Sequence, residues 1–322
     1  MRAIRVHTPG GLDALRLEDV PVPVPAAGQV LVRVEAAGVN FIDVYQRTGF
    51  YQVPLPFTLG QEGAGVVERV GDGPSWPRAG DRVAWASVQG AYAGHAVVPA
   101  VRLVPVPEGV SARQAATAML QGMTAHYLAC STFALKAGDT CLVHAAAGGV
   151  GGLLVQIARL RGARVIATVG SAAKAAIASE AGADEVILYR SQDVAAEVKR
   201  LTGGALCRVV YDGVGKDTIQ SSIASLAPRG LLVSYGQSSG PVGPVDPLVV
   251  LKGSKFMTRP TLADYIATRD ELLLRAGALL DWVRDGKVKV RIHREYALAD
   301  VASAHRDLEG RGTAGKLILL PG

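Results

Sequence analysis

The chain has 322 residues, more than the roughly 250–300 at which a single hydrophobic core stops growing, so two domains are expected. With 49% hydrophobic and 19% charged residues its composition excludes a disordered chain. The net charge of +6 comes from scattered Lys and Arg without a basic block, which argues against a nucleic-acid stripe, and no apolar run is long enough to span a bilayer.

In chain order, the first third is β-rich. Residues 1–6 predict a strand and lack the apolar stretch and cleavage site of a secretory signal. Turns at 8–11, 25–28 and 71–74 (Gly71-Asp72-Gly73-Pro74) punctuate short strands such as 30–35 and 65–70. From about residue 123 the pattern becomes strand–helix alternation. Strands are predicted at 140–144, 164–169, 185–188, 208–211 and 231–235, with helices at 149–161, 172–181, 194–201 and around 217–226. Gly162 and Gly182 stop the first two helices. Short loops and strands apolar on both faces predict a doubly wound parallel sheet of the Rossmann kind. The tail carries two predicted helices, a strand at 287–292 and a closing strand at 316–320 that returns to the first region's sheet. The expected domains are therefore 1–122 with 263–322, and 123–262.

Cys130, Cys141 and Cys207 are an odd number without a C-x-x-C pair, which predicts core thiols in a reducing, cytoplasmic setting and no disulfide framework.

The loop after the strand at 140–144 reads Ala145-Ala146-Ala147-Gly148-Gly149-Val150-Gly151-Gly152. Set on G-x-G-x-x-G, it places Gly148 where the backbone must approach a pyrophosphate and Gly151 where helix and strand must pack closely. Alanine, at 146, replaces the first glycine. A flexible turn is the plain alternative, but the loop follows a strand and opens a helix, and the free N–H groups of that helix suit phosphate. At the end of the second strand an NAD-selective protein carries Asp or Glu for the ribose hydroxyls. Here stand Gly170 and Ser171, followed by Lys174, so no carboxylate repels a 2′-phosphate and an ammonium is at hand. NADPH is the expected cofactor; the plain reading of Lys174 is a solvated helix face.

Across essentially its whole length the chain resembles the ζ-crystallin-like quinone oxidoreductases of the medium-chain dehydrogenase/reductase superfamily. Residues Gly38-Val39-Asn40-Phe41-Ile42-Asp43-Val44-Tyr45, 144–151, Val209-Val210-Tyr211-Asp212 and Thr258-Arg259-Pro260 carry the resemblance. It implies a discontinuous GroES-like catalytic domain, a Rossmann domain and a cleft between them. It also implies a 2′-phosphate site at Lys174, Tyr189 and Arg311, with Ser171 near the adenosine phosphate. Asn40, Tyr45, Thr124 and the loop after Tyr235 would line the nicotinamide end. Asp43, Gly149, Val150, Gly236, Met257 and Thr258 complete the implied cofactor set. A homodimer joined at the Rossmann edge strand near 255–258 is implied too, because an uncovered apolar edge invites pairing.

Zinc-dependent relatives bind metal through a Cys and a His–Glu pair, and the positions that look equivalent are Asn40 and Gln61-Glu62. Amides are poor zinc ligands, and the six histidines show no ligand spacing, so no metal is expected. Without a Lewis acid, a quinone is the easier hydride acceptor. Tyr51 and Asn40 are expected to orient its oxygen, with Tyr45 on the ribose or the quinone; Asp43 fixes local structure. Each has a plain counterpart: Asn40 as a turn residue, Tyr51 as a packed loop tyrosine. Two alternatives share these residues: an NADPH-dependent 2-alkenal or enone reductase, and a non-catalytic NADPH- and RNA-binding protein.

Overall fold

The computed structural model describes residues 1–73 and 75–322, with residue 251 described by its backbone; Pro74, the last residue of the predicted turn at 71–74, lies outside the described residues. Two compact units emerge, Met1–Met123 with Ile266–Gly322, and Thr124–Tyr265.

The first unit opens with β1 (Arg2–Val6), β2 (Arg16–Asp19), β3 (Gln29–Val39), the short helix α1 (Phe41–Arg47), β4 (Phe57–Thr58), β5 (Glu62–Val70), β6 (Arg82–Ala86), β7 (His95–Pro99) and β8 (Val104–Pro105). The helix α2 (Ala112–Tyr127) follows, and the boundary between units falls inside it. Strands β1, β2 and β4 form a small antiparallel sheet. Strand β3 is the spine of the larger one, pairing antiparallel with β5 and β7. Both it and β5 run past the predicted 30–35 and 65–70, through Ala36-Ala37-Gly38 and Gly63-Ala64-Gly65. Those small residues lack strand propensity, which hides the extension from sequence. Contact demands them: a Cβ at Gly63 would lie 2.5 Å from the Trp85 ring, and one at Gly65 would strike the Arg33 carbonyl.

The second unit contains β9 (Thr140–Val143), α3 (Gly149–Leu160), β10 (Arg164–Val169), α4 (Ala172–Glu180), β11 (Glu185–Leu188), α5 (Val194–Leu201), β12 (Cys207–Asp212), α6 (Ile219–Ala224), β13 (Leu226–Ser234), α7 (Leu248–Leu251), β14 (Phe256–Thr258) and α8 (Leu262–Tyr265). Its six strands run in the order β11-β10-β9-β12-β13-β14, every pair parallel. This is the doubly wound dinucleotide-binding order. Leu142, Val143, Val165, Ile166 and Ala167 are buried, as helices on both faces require. The predicted helix at 217–226 is shorter, and Leu226 already belongs to β13. Strand β13 runs through Pro228-Arg229-Gly230 with a register shift, Arg229 having φ +59°.

The chain then returns to the first unit with α9 (Arg269–Arg284), β15 (Ile292–Ala297), α10 (Val301–Glu309) and β16 (Lys316–Leu320). The strand predicted at 287–292 is corrected: it begins at Ile292. Past Gly286, at φ +69°, the N–H groups of Lys287 and Val288 both bond to the Trp282 carbonyl, so these residues close α9. Strand β16 pairs parallel with β15 and antiparallel with β3, giving the order β15-β16-β3-β5-β6-β8 with β7 also on β3. The β-rich unit is thus discontinuous in sequence. No helix among the described residues is long and apolar enough to cross a membrane.

Candidate active site

In the second unit β9 delivers the chain into the glycine-rich loop. Ala145 has φ +51°, Gly148 is the N-cap of α3, and Gly149, Val150 and Gly151 form its first turn. A Cβ at Gly151 would collide with the Ala145 carbonyl oxygen and sit 2.9 Å from its carbon. No side chain caps α3, so its first N–H groups remain available to an anion.

Beneath the loop lies a buried polar chain. His144 Nδ1 is 2.9 Å from Thr168 Oγ1 and its Nε2 is 3.0 Å from Ser222 Oγ; the Ser222 hydroxyl donates to Asp212 Oδ2 at 2.7 Å. Since the Ser222 hydrogen goes to Asp212, Nε2 of His144 carries the proton and Nδ1 accepts from Thr168. Asp212 also takes the N–H groups of Val214 and Gly215 and the Thr218 hydroxyl. Burial pulls the His144 pKa below its ordinary value against the opposing charge of Asp212. The network ties together the carboxyl ends of β9, β10 and β12, where a doubly wound sheet binds ligands.

At the end of β10 the structure brings together Gly170, Ser171, Lys174 and Tyr189. Ser171 caps α4 through the Lys174 N–H, 3.4 Å away. A Cβ at Gly170 would lie 2.6 Å from the Tyr189 hydroxyl and 3.4 Å from Arg190 Nε. Arg190, which the sequence reading missed, adds a second cation: burial and then the Arg190 charge lower the Lys174 pKa. The signal was its place directly after Tyr189 at the end of the third strand. Thr124 is buried, and half-buried Tyr235 lies over Gly213, with Gly236 following it. Met257 and Thr258 lie on β14, with Met257 exposed. Arg311 belongs to the first unit, in the turn after α10, with φ +55°.

In the first unit, α1 and the loop after it form an aromatic face. The Tyr45 ring lies 6.1 Å from Phe41, 5.7 Å from Phe50 and 5.5 Å edge-on from Tyr51, between centroids. Phe50 is 52% exposed and Tyr51 40%. The Tyr51 N–H bonds to the Tyr45 carbonyl at 3.0 Å, anchoring the loop to the helix.

Two expectations are corrected here. Asn40, only 3% exposed, directs its amide inward: Nδ2 donates to Glu62 Oε2 at 2.9 Å and the Gly38 carbonyl at 3.3 Å, and Oδ1 accepts from Lys316 Nζ at 2.6 Å. Both amide hydrogens are occupied, so it has none left to orient an acceptor's oxygen. Asp43 is fully buried with its carboxylate turned into the protein; its Oδ2 accepts the Asn40 N–H and the Tyr92 hydroxyl, each at 2.8 Å. Burial pushes the Asp43 carboxyl up to about 7. No spacing or motif pointed to Lys316, which arrives from the far end of the chain.

Two protein families match the chain: "Alcohol dehydrogenase GroES-like domain" over residues 26–108 and "Zinc-binding dehydrogenase" over residues 149–267. Together with the doubly wound sheet and its glycine-rich loop, they define an oxidoreductase of the medium-chain dehydrogenase/reductase superfamily. A quinone oxidoreductase of Pseudomonas aeruginosa is 45% identical over 315 residues, 97% of each chain. The structure of Escherichia coli quinone oxidoreductase complexed with NADPH superimposes with a TM-score of 0.97 at 41% identity, covering all of both chains. A mycobacterial protein complexed with NADPH gives 0.97 at 46% identity, again over the full length of both. The chain belongs to the quinone oxidoreductase family.

Zinc, which one of the matching family names carries, does not suit the donors present. At the positions equivalent by resemblance to metal ligands stand an amide, Asn40, and a carboxylate, Glu62, and the Lys316 ammonium is bonded to both. A cation already neutralises that carboxylate, and among the described residues no group of three or more His, Cys, Asp or Glu side chains could hold a metal ion.

Proposed function

We propose that this protein is a zinc-independent NADPH:quinone oxidoreductase, the second unit holding the cofactor and the aromatic face of the first holding the acceptor. Full-length relatedness to quinone oxidoreductases, joined to a carboxylate-free end of β10, is the observation that carries the reading.

The N-terminal turn of α3 binds the pyrophosphate through Gly148, Gly149, Val150 and Gly151. Lys174, Tyr189, Arg190 and Ser171 hold the 2′-phosphate, whose charge the Lys174 and Arg190 cations match. Thr124, Tyr235, Gly236, Met257 and Thr258 complete the cofactor's seat. When bound there, NADPH would supply the reducing equivalents that the quinone takes up. The Tyr45 ring offers a flat surface for the acceptor, and the Tyr51 hydroxyl donates a hydrogen bond to its oxygen as negative charge develops there. Phe50, exposed beside them, widens that surface. The protein works as a homodimer paired along β14, an edge strand whose Phe256 is 60% exposed. An odd number of cysteines without a C-x-x-C pair accords with a cytoplasmic enzyme.

The test follows loss of reduced-nicotinamide absorbance with chelator present, offering NADPH or NADH against an ortho-quinone and a 2-alkenal. Chelator-resistant, NADPH-selective quinone reduction is expected. Alkenal turnover without quinone turnover would move the function to enone reduction, and tight NADPH binding with neither activity would make it non-catalytic.

A further inference from the structure

Lys316 and Glu62 form an ion pair in which both side chains are 0% exposed. Burying two charges costs several kcal/mol per ion, and apolar replacements of such pairs are often neutral or stabilising, so stability alone does not account for this one. The ammonium is a donor without acceptor capacity, and it grips two oxygens, the Glu62 carboxylate and Asn40 Oδ1 at 2.6 Å. Glu62 takes the Leu120 N–H of α2 on its other oxygen and the Asn40 Nδ2 beside Lys316. The chamber is built for the pair: a Cβ at Gly38 would lie 2.7 Å from both Lys316 Cε and the Ala116 carbonyl, and closer still to the Glu62 carboxylate.

What the pair holds is the start of α1. Asn40 is its N-cap, and with its N–H on Asp43 Oδ2 and its amide clamped between Lys316 and Glu62, it has no freedom to turn. Tyr45 follows within the same seven-residue helix, and Tyr51 hangs from the Tyr45 carbonyl. We propose that Lys316 is a positioning residue: from the C-terminal strand, it fixes Asn40, and through α1 the seat of Tyr45 and Tyr51 against the quinone. The assignment rests on reading that aromatic face as the acceptor site.

The test replaces the charges together, Lys316→Met with Glu62→Gln, because Lys316→Met alone strands a buried carboxylate. Gln at 62 still accepts the Leu120 N–H. The double variant is expected to melt within a few degrees of the parent and to bind NADPH within twofold. Its kcat/KM for an ortho-quinone should fall tenfold or more, with most of the change in KM. Asn40→Leu should produce the same defect, and combining all three changes should add little to it, because they break one chain of contacts. A folded double variant with quinone kinetics within twofold of the parent would overturn the proposal, as would defects that multiply in the triple variant. Fluorine NMR of 3-fluorotyrosine protein reads the two rings without turnover, with Tyr45→Phe and Tyr51→Phe assigning the signals. Both signals should move in the double variant, and unmoved signals would equally overturn the assignment. If the parent itself reduces no quinone, the functional reading fails, and the fluorine signals still decide whether Lys316 positions α1.

Discussion

Gly151 shows how one residue shapes a loop by having no side chain. The carbonyl of Ala145 occupies the space a Cβ would need, and Ala145 is itself held at φ +51° between β9 and α3. The obstacle is backbone, not the flexible end of a side chain, so α3 must shift to admit even a methyl group. Gly151→Ala is expected to raise the NADPH dissociation constant tenfold or more, about 1.4 kcal/mol, measured by titrating the reduced-nicotinamide fluorescence. Unchanged affinity would mean that the loop does not hold the pyrophosphate. Asn40 teaches the reverse lesson. Its neighbours carry the family resemblance, yet its hydrogen bonds point inward.

Among the elements, β14 carries the assembly proposal. It closes one side of the six-stranded sheet, pairing with β13 on one edge, and it presents Phe256 and Met257 to solvent at 60% and 40% exposure. Open edge strands with apolar side chains are hazards that proteins cover. Phe256→Lys places a charge in the proposed interface while leaving the β13 ladder intact. Light scattering should show a dimer for the parent at micromolar protein and a monomer for the variant. A monomeric parent would overturn the dimer.

For the whole molecule, two buried groups shape stability against pH with opposite signs. His305 is fully buried, and Arg47 Nη1 donates to its Nδ1 at 3.2 Å while gripping Glu309. Burial first, then the Arg47 charge, depresses its pKa to about 3. The unfolded chain therefore takes up this proton more readily, and stability falls as pH drops below about 6.5 toward 3. Asp43, pushed up to about 7, favours the protonated fold, so its contribution is lost as pH rises from 3.8 toward 7. Comparing the parent with His305→Leu isolates the first. Between pH 7.5 and pH 5 the parent should lose about 2 kcal/mol more than the variant, roughly 4–8 °C in Tm by calorimetry. Parallel losses in both would show that His305 is not held neutral.

The sequence alone determined what local chemistry can write. The strand–helix alternation of the second unit was legible because its inner strands are apolar on both faces and its first two helices end at a glycine, Gly162 and Gly182. Gly148, Gly151, Ser171 and Lys174 could be proposed from sequence because phosphate recognition would need those residue types within one βαβ unit. Arg190 adjoins Lys174 only where β10 and β11 lie side by side, so its place directly after Tyr189 was the one local hint of it. The strand at 292–297 was misplaced because glycine-closed helix ends and strand starts compete for the same apolar residues. The buried pair of Glu62 and Lys316 was beyond any reading of the chain alone. It exists because β16 returns to β3 across the whole sequence, and only that pairing brings an ammonium to Asn40 where burial leaves it no partner but the protein itself.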